Sequence, residues 1–139
     1  MKFALLLGTA VLLVVASFAG SPAAPASSAK VARGKYLVEG VGLCNDCHTP
    51  LDEKGQPIPG KALKGAPTAF KPVAPIPNWA EKSPNIAGLP GWEDADAVKF
   101  LMTGIAYNGL PPRPPMPPYR MNKEDAEAVV AYLRSLAPQ

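Results

Sequence analysis

The chain has two cysteines and one histidine, and all three lie within five residues, Cys44-Asn45-Asp46-Cys47-His48. Two thiols three positions apart on a tight turn can each add across one vinyl group of a haem. The imidazole that follows the second thiol then sits beneath the iron as proximal ligand. Rival chemistries fail by counting. A structural zinc site needs four Cys or His ligands, and this chain has three in total. A thioredoxin-like redox pair requires β-α-β patterning, which the sequence lacks. A plain disulfide suits an exported chain, but it leaves His48 unexplained and closes a loop too small to gain much from chain entropy. The pentapeptide therefore reads as the attachment site of one covalent haem c, bonded at Cys44 and Cys47 and ligated by His48.

A single histidine has a second consequence. Bis-histidine ligation is impossible within the chain, so the sixth position falls to a thioether, a lysine, a water or nothing. Met102 lies on an apolar helical series with Val98, Leu101 and Ile105 and so reads as core. Met121 directly precedes Asn122, a good helix N-cap, where a hydrophobic staple would form. Met116 has no such role. It stands in Pro111-Pro112-Arg113-Pro114-Pro115-Met116-Pro117-Pro118, a stretch with restricted φ angles and few conformations to lose. Such a loop can hold a weak iron–thioether bond at low entropic cost, and Met116 is assigned as distal ligand. Met121 or an open site is the alternative, and a proline-rich partner motif is a third use of the same residues.

The elements that must position these groups are helical. Val31, Gly34, Val38 and Val41 share one face of a helix from Ser28 to Gly42 that runs into the Cys44 turn. Gly34 weakens that helix by about 1 kcal/mol against alanine, which a close helix crossing would justify. Trp92, Glu93 and Asp94 open a second helix to about Thr103, stopped by Gly104. Asn122 caps the last helix, with Glu124 and Asp125 at its positive end and Ala126, Val129, Val130, Leu133 and Leu136 as its buried stripe. No segment alternates convincingly as a strand, so the domain reads as all-α.

Between these helices, nine of the 18 prolines fall from Pro50 to Pro90, leaving little backbone able to form ladders or helices. A loop of that length becomes reasonable when it wraps a large rigid apolar ligand. The first 19 residues, with Lys2 and the apolar run Phe3 to Ala19, read as an export signal cleaved after Ala19, with an uncleaved anchor as the alternative. Residues 20–29 form a Ser/Pro/Ala-rich linker and 30–139 the domain. Either way the domain lies outside the cytoplasm, on the periplasmic side. The formal charge of +3 is spread without a run, which gives nucleic-acid binding no support. Lysines 54, 61, 64, 71 and 82 read as solvated surface, with a weakly basic docking face as the sharper alternative.

These residues resemble the class I c-type cytochromes over about residues 30 to 138. The likeness rests on Arg33-Gly34-Lys35-Tyr36-Leu37, Cys44 to Pro50, Met116-Pro117-Pro118 and Asp125 to Leu136. Ser83-Pro84-Asn85-Ile86 with Gly91-Trp92 is similar to the middle segment of cytochromes associated with bacterial periplasmic dehydrogenases. The resemblance implies a class I cytochrome c fold with three main helices around one covalent haem and long proline-rich loops. It also implies Gly34 packed where the first helix crosses the last near Tyr132, and His48/Met116 ligation. The function implied is an electron carrier rather than an enzyme, exchanging single electrons with a dehydrogenase, an oxidase or another cytochrome. An electron-transfer subunit of a larger oxidoreductase and an open-site haem protein are the other two readings. Residues 55 to 82 match no family pattern. The carbonyl that orients His48 is therefore sought at Pro67 or Pro72, and a propionate partner at Trp79, Trp92 or Tyr107.

Overall fold

The computed structural model describes residues 27–136; the expected signal at 1–19 and most of the 20–29 linker lie outside them. Among the described residues the regular structure is helical, with two isolated antiparallel bridges, Leu51 to Pro57 and Pro67 to Lys82. No helix among them is long and apolar enough to cross a membrane.

Helix α1 spans Ser28–Tyr36, and its N-cap Ser27 accepts from the Lys30 amide at 3.3 Å. The helix expected to continue to Gly42 instead widens into a π turn over Leu37–Val41, closed by Gly42. The widened turn rotates the positions after it. Leu37 and Val38 are both buried, whereas Val41, expected on the apolar face, is 54% exposed. Helix α2 is the single turn Cys44–His48, entered through Leu43 in the left-handed region at φ 49°.

Helix α3 covers Asp94–Thr103 and ends where Gly104 turns left-handed at φ 70°, as its sequence predicts. Helix α4 covers Lys123–Ser135, with Asn122 Oδ1 accepting from the Asp125 amide at 2.8 Å. Its stripe of Ala126, Val129, Val130 and Leu133 is buried as expected, and Leu136 packs against the same core.

The core lies where α4 meets α1 and α3. Leu63, Ala87 and Leu89 come in from the long loop to complete it. Gly34 sits at the α1–α4 crossing. A Cβ built there would be driven into the Ala128 carbonyl and would stand 2.8 Å from Tyr132 Cβ. The same crossing carries Lys30 to Glu127 at 2.7 Å and Arg33 to Asp125 at 2.9 Å, with Tyr132 donating to Glu39 Oε1 at 2.6 Å. Arg134 joins α4 to α3 through Asp94 at 2.7 Å and donates to the carbonyls of Gly88, Leu89 and Trp92.

Because the intruding group would meet backbone rather than a flexible side chain, Gly34→Ala should cost about 3 kcal/mol. In a domain of this size that lowers Tm by on the order of 10 °C, read by thermal melting in circular dichroism. Gly40→Ala is the control. Its Cβ meets only Tyr36 ring atoms at 3.5 Å, ordinary contact, and Tm should hold or rise slightly.

Candidate functional site

The C-x-x-C-H turn is fixed by hydrogen bonds from three directions. Thr49, directly after it, donates from Oγ1 to Asn45 Oδ1 at 3.0 Å and accepts from the buried Leu63 amide at 2.9 Å. The Gly65 amide donates to His48 O at 2.8 Å, and Ser83 Oγ donates to Cys47 O. Ser83 also accepts from the Ala66 amide at 3.0 Å, while its own amide donates to Ala66 O at 2.8 Å. Two pieces of the proline-rich loop, around 63–66 and 83–87, are thereby laced to each other and to the turn.

His48 is buried, and its Nδ1 lies 2.8 Å from Pro84 O. A carbonyl only accepts, so the proton sits on Nδ1 and Nε2 keeps its lone pair. Burial lowers the pKa of the imidazole, against the opposing pull of that carbonyl, and so favours the neutral ring. This corrects the carbonyl candidates drawn from the sequence. Pro67 and Pro72 do not orient His48, and the residue that does lies in Ser83-Pro84-Asn85-Ile86. Gly65 makes the approach feasible. At φ 87°, its missing Cβ would stand 2.8 Å from Ser83 O and 2.9 Å from Pro84 C.

The two cysteines are not joined in a disulfide, and Cys47 is exposed and Cys44 half-buried. Desolvation raises the pKa of the Cys44 thiol, partly offset by the neighbouring Tyr119 hydroxyl. Among the described residues, no three His, Cys, Asp or Glu side chains come together to hold a bare metal ion. Two thiols and one neutral imidazole nitrogen in a single helical turn suit a metal carried in a macrocycle, and the donor set fits a haem.

The three candidate methionines sit in different surroundings, and Met102, read from the sequence as core, lies outside the core cluster. Met121 packs against the core, and its amide donates to Leu101 O at 3.1 Å. Met102 is half-buried in a groove beside Val98 and Val130. Met116 is half-buried in a turn in which its amide donates to Arg113 O at 3.1 Å. That loop is tied to residues 78–80, because Arg113 donates to Asn78 O at 3.0 Å and Trp79 O at 2.8 Å, and the Ala80 amide donates to Pro114 O at 2.7 Å.

Of the aromatic candidates, Trp92 packs against the core and meets Phe100 at a tilt and the exposed Tyr107 edge to face, and Trp79 meets Phe70 edge to face at 5.6 Å. Sequence reasoning missed Thr49, Ser83, Pro84, Arg113 and Tyr119. The motif-like segment around Ser83 was a usable signal for two of them, and Arg113 stood out as the one charge within a proline run. Thr49 and Tyr119 gave none beyond their nearness to the motif and to Met116.

The family model for cytochrome c matches residues 31–137. Over 125 residues the chain is 34% identical to the cytochrome c subunit of a quinone alcohol dehydrogenase from Gluconacetobacter polyoxogenes, covering 83% of this chain and 26% of that protein. A gluconate 2-dehydrogenase cytochrome c subunit from Pantoea cypripedii is 33% identical over 120 residues, 76% of this chain and 26% of the relative. A fructose dehydrogenase cytochrome subunit from Gluconobacter japonicus is 30% identical over 114 residues, 75% of this chain and 21% of the relative. The chain thus spans about a quarter of the length of these relatives.

Thr49→Val removes the acceptor of the buried Leu63 amide and should cost about 1–3 kcal/mol, whereas Thr49→Ser keeps both bonds and should cost less than about 1. Urea denaturation of the two variants beside the parent measures both. Equal losses would mean that the hydroxyl has no such role.

Proposed function

The chain belongs to the cytochrome c family, and on that premise we propose that it is a mono-haem electron carrier whose iron is held between His48 and Met116. Cys44 and Cys47 hold the haem as thioethers, each S–H adding across one vinyl group with no net oxidation. The His48–Pro84 contact carries the assignment of the proximal ligand. It gives the imidazole one tautomer and one orientation and leaves Nε2 to bind iron. A ligating histidine whose other nitrogen donates to a carbonyl is a stronger base and a better-placed ligand.

A haem held there supplies a one-electron couple between Fe(III) and Fe(II). The protein's part is to keep that exchange free of rearrangement. Thr49, Gly65 and Ser83 fix the proximal side through backbone hydrogen bonds, and Arg113 holds the Met116 loop against residues 78–80. A neutral thioether favours the reduced metal and raises the potential. No general acid, base or nucleophile is required. Electrons enter and leave at the haem edge beside the Cys44 and Cys47 thioethers.

The relatives' names favour a dehydrogenase as the electron donor. The chain matches about a quarter of each, so the likeness supports a role as one electron-transfer unit beside a dehydrogenase, free or as a subunit, and not a substrate of its own. The expected setting is the periplasm, or the outer face of the cytoplasmic membrane if the N-terminal segment stays attached.

Purified holoprotein should show one covalently bound haem per chain by mass spectrometry. Its ferric form should carry the weak long-wavelength band of thioether ligation. Met116→Ala should abolish that band, while Met102→Ala and Met121→Ala keep it. A Met116→Ala spectrum identical to the parent's would remove Met116 as ligand, and a parent without the band would bring forward the open-site reading of a sensor or weak peroxidase.

A further inference from the structure

The loop that carries Met116 returns to the attachment turn within three residues. Tyr119 donates from its hydroxyl to Gly42 O at 2.7 Å, joining segments 77 residues apart in sequence. Gly42 closes the π turn two positions before Cys44. A Cβ built on Gly42 would stand 3.4 Å from Cys44 Sγ and 3.5 Å from the Tyr119 hydroxyl, so carbonyl, thiol and phenol share one small space. Between Met116 and Tyr119 lie only Pro117 and Pro118, whose φ angles are fixed. There is little slack, and a restraint on Tyr119 restrains Met116.

We propose that Tyr119 is a positioning residue, whose hydroxyl ties the distal-ligand loop to the haem-attachment turn and holds the Met116 thioether in place. The proposal rests on the reading of Met116 as distal ligand. Burial, the largest cause, raises the pKa of the phenol above its ordinary value, so it remains a donor across the physiological pH range. The start of the loop is held independently by Arg113 and by the Ala80–Pro114 bond. Loss of the Tyr119 hydroxyl therefore frees one end of the loop and leaves the other pinned. A neutral thioether is a weak ligand, so the free energy of its loop enters directly into how often it lets go. A net hydrogen bond of ordinary strength corresponds to about a tenfold change in that ratio.

The test uses holoprotein matured with covalent haem, comparing the parent with Tyr119→Phe and with Tyr132→Phe. The last removes a tyrosine hydroxyl bond of similar kind, to Glu39, away from the loop. Tyr119→Phe should keep its haem, lose the ferric thioether band at a pH about one unit lower than the parent, and bind added imidazole about tenfold more tightly. Tyr132→Phe should lower Tm without moving either reading. Tyr119→4-aminophenylalanine, which keeps a donor at the ring's para position, should restore the parent values, and it must do so even if Tyr119→Phe fails to mature. A parent that shows the band together with a Tyr119→Phe variant that matches it in both readings overturns the tether alone. A 4-aminophenylalanine variant that behaves unlike the parent does the same. A parent with no band overturns the Met116 reading, and the tether with it.

Discussion

The carbonyl of Pro84 sets the terms for the rest of the domain. A buried imidazole with an unpaired N–H would cost a desolvation penalty of about 1–3 kcal/mol, so the chain must bring an acceptor to His48 from somewhere. It does so from 36 residues away, through a segment too rich in proline to form a ladder. The loop can make that approach only because Gly65 has no side chain where Ser83 and Pro84 pass, and because Ser83 satisfies backbone groups on both neighbours. The proximal wall is therefore a meshwork of single hydrogen bonds, with no regular element behind it.

The helices form the frame on which that meshwork hangs. At the α1–α4 crossing, backbone meets backbone across Gly34. Around that contact the ion pairs of Lys30 and Arg33 lie near the surface, where each contributes at most about 1 kcal/mol, so packing decides the geometry and charge adjusts it. Arg134 works differently. One side chain pairs with Asp94 and caps three carbonyls of the 88–92 turn, which fastens the long loop to the helical frame at its far end.

What was legible in the sequence was local. Asn122 and Gly104 announced helix ends through chemistry that acts within one turn, and both ends fall where expected. Met121, placed beside the Asn122 cap, packs against the core as its neighbours suggest. Gly34 foretold a crossing because a glycine in a helix needs a reason. The illegible parts depend on where distant segments come to rest. No propensity distinguishes the Pro84 carbonyl from those of Pro67 and Pro72, since all three sit in similar surroundings until the fold selects one. The π turn at Leu37–Val41 likewise leaves no trace in side-chain periodicity, which is why Val41 was placed on the wrong face.

The crossing of α1 and α4 also orders events in time. Its partners, such as Arg33 and Asp125, are 92 residues apart, and closing a loop of that length costs about 4 kcal/mol of chain entropy before any contact repays it. A chain emerging from its N-terminal end displays the Cys44–His48 turn long before the helix that shuts the domain exists. The local contacts of the Cys44–His48 turn can therefore form ahead of the long-range closure that Lys123–Ser135 brings.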